Sequence, residues 1–183
     1  YDDGSAEAAF GPTGAQSMLA VHFNAYEADS LLGVYLHFVP SVVDVSNKLF
    51  YLTVWEDNNG IPGNLLYQDD VFSPRQPTYN QGLNNFNPYY FAGGIKVPVS
   101  TSFFVGWKQV DALRYNLGLD RNIDHSDKIK FSVGDIFLKQ TKYTLFNYDQ
   151  ELSKNEPSVF NFYRDFVNYE NFYKYSSFGY FLF

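Results

Sequence analysis

Apolar residues fall on alternate positions in a series of short segments, and that period of two predicts strands. In MLAVHF, Leu19, Val21 and Phe23 share one face, with Met18, Ala20 and His22 on the other. LLGVYLHF sets Leu32, Val34, Leu36 and Phe38 against Leu31, Gly33, Tyr35 and His37. LFYLTVW sets Phe50, Leu52 and Val54 against Tyr51, Thr53 and Trp55. SFFVGWK puts Phe103, Val105 and Trp107 on one face, which makes Trp107 a core candidate. NLLYQ, GGIKVPV and YNLGLD are further strand candidates, and clusters of Gly, Pro, Asn or Asp separate many of these segments. Short strands at such spacing, with no amphipathic helix between them, predict an all-β fold. The expected architecture is an antiparallel β-sandwich of jelly-roll type over residues 1–137.

Two regions depart from this pattern. Residues 73–94 are rich in Pro, Asn and Gly and predict a long surface loop with a short strand near Tyr89 to Phe91. Residues 138–183 form an aromatic-rich C-terminal segment, supplying either completing strands or a helical appendage. Pro157 offers a helix start with Phe160, Tyr163 and Val167 on one stripe. Strand pairing fits nearly as well, because Phe and Tyr are mediocre helix formers.

Composition narrows the function classes. The 183 residues suit one domain, or one domain with an appendage. Charged residues make up 18% and apolar ones 45%, a balance that favours a packed core over disorder. The net charge of −7 comes without any long basic run, which argues against a nucleic-acid partner. No cysteine is present to form a disulfide or thiolate site, and no 18-residue apolar run predicts a membrane span. The chain opens on Tyr1-Asp2-Asp3, as an excised piece of a larger protein or assembly would.

The stretch EDNNG, residues 56–60, has oxygen side chains of the type calcium takes, but not the alternating spacing of an EF-hand loop. Asn59-Gly60 is a tight-turn signal, because both residues tolerate positive φ. A connection between two strands is the favoured reading. Asp2, Asp3 and Glu7 are calcium candidates at an edge of the sandwich, against the plainer reading of a solvated strand start. Asp120, Asp124, His125 and Asp127 share one polar loop and read more simply as a soluble loop than as a metal site. The expectation is therefore no cofactor, with calcium at Asp2, Asp3 and Glu7 the alternative.

Catalytic motifs are not legible. There is no G-x-S-x-G elbow, phosphate-cradling glycine loop or zinc motif. His22 and His37 sit in apolar strands, where structural histidines outnumber catalytic ones. Aromatic residues make up 20% of the chain and offer a more physical proposal. If Phe50, Leu52 and Val54 face the core, parity turns Tyr51 and Trp55 outward, and Tyr35 lies opposite Val34 and Leu36. Tyr35, Tyr51 and Trp55 would then form a ligand platform for sugar rings, with Thr53 or His37 adding hydrogen bonds. The competing reading packs these rings beneath a loop or the aromatic C-terminal segment.

The phrases YDDGSAEAAFG, SLLGVYLHFVP, FYLTVWEDNNGIPGNLLYQ, FFVGWKQV and YNLGLDRN occur in that order. Together, over residues 1–136, they resemble a β-sandwich module of Bacteroidota secreted and cell-surface proteins that carry type IX secretion sorting domains. Such modules close with a Trp-containing turn and a final strand after a phrase like VGD; here FSVGDIF runs into the aromatic segment instead. The resemblance implies an extracellular or outer-membrane-associated, non-catalytic binding module whose partner is a glycan or a surface protein. A structural subunit docking on a protein partner at the outer membrane is the alternative.

Overall fold

The computed structural model describes residues 8–40, 43–80, 86–120, 126–132, 137–138, 176–177 and 179–182. Its largest sheet is built from β2 (Met18–Asn24), β5 (Phe50–Asp57), β6 (Pro62–Gln68), β9 (Ser102–Gln109), β11 (Ile129–Ser132) and β12 (Phe137–Leu138). They lie in the order β12-β11-β2-β9-β5-β6. Three smaller sheets accompany it among the described residues. β1 (Ala8–Phe10) and β13 (Ser176–Ser177) flank β10 (Leu117–Asp120). β7 (Asn87–Tyr90) and β14 (Gly179–Leu182) flank β4 (Gly33–Leu36), and β3 (Asp29–Leu31) pairs with β8 (Val97–Val99). Every ladder is antiparallel. The all-β expectation holds as a sandwich-like arrangement of antiparallel sheets.

One apolar core joins the large sheet to the smaller ones. Leu19, Leu52, Val54, Val105, Trp107 and Phe131 come from the large sheet, and Val34, Leu36, Tyr89, Val97 and Leu117 from the others. Phe38 bridges the layers, its ring 5.4 Å from those of both Phe50 and Trp107. Tyr89 meets Phe50 edge-on at 5.5 Å. Such pairs each add about 0.5–1.5 kcal/mol beyond the area they bury. Trp107 is buried as its parity predicted.

Close sheet packing also demands a missing side chain. A Cβ on Gly106 would lie 1.8 Å from the carbonyl oxygen of Leu19 on the neighbouring strand. Only glycine fits between those backbones.

The segment 73–94 departs from expectation. The short strand expected near Tyr89 is present as β7, but the segment is no mere surface loop: Tyr89 and Phe91 are buried in the core. Arg75 makes a backbone bridge to Phe50 and grips Asp69 through Nε at 3.0 Å and a terminal nitrogen at 2.9 Å. The Asp69 carboxylate is fully buried and also accepts from the Leu52 amide at 2.8 Å and the Tyr67 hydroxyl at 2.7 Å. A buried carboxylate is tolerated only when its lone pairs are so occupied. That need draws the polar segment inward.

Candidate functional site

The ends of β2, β5 and β9 converge at one end of the large sheet, where Asn24 pairs with Ser102 and Glu56 with Phe103. The EDNNG stretch turns there. Asn59 and Gly60 adopt φ of 55° and 81°, and Asn58 and Ile61 exchange backbone hydrogen bonds at 2.9 and 3.3 Å. Two successive positive φ values match the twist of a two-residue hairpin. The nearby carboxylates serve this geometry: Asp57 Oδ1 accepts from the Gly60 amide at 2.6 Å, and Glu56 accepts from the Asn64 side chain at 2.8 Å. The acidic cluster is a strand connection, as its glycine signal predicted. No group of three or more potential metal-ligating side chains occurs among the described residues.

Behind the turn, three polar residues meet on the face of the large sheet that looks away from the core. Ser102 Oγ donates to Asp57 Oδ2 at 2.6 Å. His22 Nε2 lies 2.7 Å from Ser102 Oγ and 3.2 Å from Asp57 Oδ2. Burial works to raise the Asp57 carboxyl, but hydrogen bonds from Ser102 and Gly60 and the charge of His22 outweigh it and lower the pKa. The residue types are those of a serine hydrolase; the wiring is not. A nucleophilic serine gives its proton to the imidazole while the carboxylate holds the other ring nitrogen. Here one nitrogen meets both partners and the serine proton goes to the carboxylate. This arrangement clamps the hairpin to β2 and β9.

At the same end, a pocket of about 420 Å³ opens beside the β2–β3 connection. Its wall includes the half-buried Phe23, whose ring stacks on the core residue Phe103 beneath it at 6.2 Å between centroids. Asn24, Glu27 and Asp29 add an amide and two carboxylates, and Tyr26 at the rim is fully exposed. Asp29 Oδ1 accepts from the Ser30 amide at 2.7 Å. Rings beside hydrogen-bonding groups in a concave site form an arrangement suited to small polar ligands.

The expected platform of Tyr35, Tyr51 and Trp55 does not assemble. Tyr51 and Trp55 do turn away from the core, as parity required, on β5, which lies between β9 and the edge strand β6. Tyr35 belongs to β4 in another sheet across that core, so its ring faces the opposite side of the molecule. Trp55 is 5% exposed and packs in a second apolar cluster with Met18, Ala20 and Phe104. Thr53 is buried, and its hydroxyl donates to the carbonyl of Tyr51. Asp2, Asp3 and Glu7 lie outside the described residues, as do Asp124 and His125.

Tyr26, Glu27 and Asp29 match no motif that sequence analysis singles out. The Ser102 partnership with His22 spans 80 positions and left no local signal. Comparison with protein-family models, characterised proteins and solved structures finds no match to this chain.

Proposed function

We propose that this chain is a non-catalytic binding module of a secreted or cell-surface protein, taking glycans at the loop end of a jelly-roll sandwich. The observation that carries the reading is the fully exposed Tyr26 at the rim of a pocket with the half-buried Phe23 in its wall. Sugars present apolar C–H faces that stack on aromatic rings, and hydroxyls that bond to amides and carboxylates. Asn24, Glu27 and Asp29 supply the polar part. The extracellular setting rests on the resemblance of residues 1–136 to modules of type-IX-secreted Bacteroidota proteins.

The test is a glycan array probed with the purified chain and with Tyr26→Ala. Binding that Tyr26→Ala removes, with the unfolding midpoint unchanged, is expected. Specific glycan binding that Tyr26→Ala leaves intact would move the site elsewhere, and no binding by a folded sample would end the reading.

A structural subunit docking on a protein partner is the second reading. Leu65 on the edge strand β6, and Val71 and Phe72 just beyond it, are all exposed. Concentration-dependent association that Phe72→Ser abolishes would select it.

A further inference from the structure

We infer that the pocket selects a protonated amine on its glycan, so that amino sugars are preferred over neutral sugars and anionic sugars are excluded. The inference rests on the glycan reading above and adds charge selection to it.

The pocket walls carry Glu27 and Asp29 and no basic side chain. Among the described residues, three connections at this end, 22–31, 55–66 and 99–104, contain Glu27, Asp29, Glu56 and Asp57 but no Lys or Arg. His22 is the sole titratable cation among them, and it is turned to Asp57 and Ser102. Lys128 ends the 3-10 turn Ser126–Lys128 just before β11, next to β2, and does not line the pocket. The local field is therefore negative.

The donor and acceptor inventory points the same way. Ionised carboxylates only accept hydrogen bonds, so Glu27 and Asp29 require a ligand rich in donors. Hydroxyls partly meet that need, and an ammonium group with three N–H donors meets it best. A uronate or sulfate ester brings further acceptors and would find only the neutral donors of the Asn24 amide and the Tyr26 hydroxyl among the wall side chains. The exposed ring of Tyr26 adds an electron-rich face, which attracts a cation and not an anion.

The test uses three β-1,4-linked tetrasaccharides of matched length: glucosamine, N-acetylglucosamine and glucuronate. Titration calorimetry is run at a pH where the amine is protonated, in low and high salt. The glucosamine oligomer should bind about ten-fold more tightly than its N-acetylated counterpart, near the upper end of what two exposed charge pairs allow. Glucuronate should bind weakest, and salt should shrink the differences. Glu27→Gln with Asp29→Asn should erase the amine preference while N-acetylglucosamine binding persists. Equal binding of the amine and N-acetyl forms, or tighter binding of glucuronate, overturns the charge selection and leaves the glycan reading standing. An amine preference that survives the double substitution overturns its assignment to this pocket. No binding of any of the three by the folded chain overturns both.

Discussion

Ser102 donates its hydroxyl hydrogen to Asp57 across 2.6 Å, tying together residues 45 apart in sequence. The bond has a consequence in acid. Asp57 has its pKa lowered below 3.8 in the folded chain, so the unfolded chain takes up the proton first. The stability this contributes is fully present above pH 3.8 and is lost as pH falls through the folded value. Ser102→Ala removes one of the lowering hydrogen bonds. The Asp57 carboxyl should then titrate higher by NMR, and the acid-induced fall in urea midpoint attributable to it should shrink. An unmoved Asp57 titration would show that the bond contributes nothing to the shift.

Asp69 and Arg75 invite a different measurement. The carboxylate is fully buried, whereas the guanidinium retains 20% exposure. Arg75→Ala should therefore strand a buried negative charge and cost about 3 kcal/mol in urea unfolding at neutral pH. Asp69→Asn combined with Arg75→Ala should cost less than the sum of the single changes, because the two residues share one network. Strict additivity would mean that they stabilise the fold separately.

Two glycines should respond very differently to alanine. At Gly60 nothing lies within 4 Å of a new Cβ, and the only penalty is φ of 81°. Gly60→Ala should cost about 1 kcal/mol. Gly106→Ala drives its methyl into the Leu19 carbonyl and should abolish the cooperative unfolding transition. Similar midpoints for the two variants would contradict the strand pairing of β2 with β9.

Trp55 should behave as a packing residue. Buried with Met18, Ala20 and Phe104, it should cost about 3 kcal/mol when truncated to alanine. Both tryptophans are buried, so native fluorescence should be blue-shifted and report unfolding strongly. Trp55→Ala with unchanged stability and lost glycan binding would instead make Trp55 a ligand contact.

Much of the fold was legible because strand periodicity is a local property. Alternation by itself assigned Leu52 and Val54 to the core face of β5, Tyr51 and Trp55 to the other face, and Trp107 to the interior. The Asn59-Gly60 pair determined its own turn, since positive φ is a preference of those residues and needs no distant partner. Which strands would neighbour one another was not legible, because pairing depends on hydrogen bonds between segments far apart in sequence. Only tertiary structure placed Tyr35 across the core from Tyr51, and only it brought Ser102 to His22. Burial of Trp55 was likewise decided in three dimensions: parity says which way a side chain leaves a sheet, but not what meets it there. The sequence determined faces and turns; the packing of sheets decided which faces meet solvent, and with that where a ligand could reach.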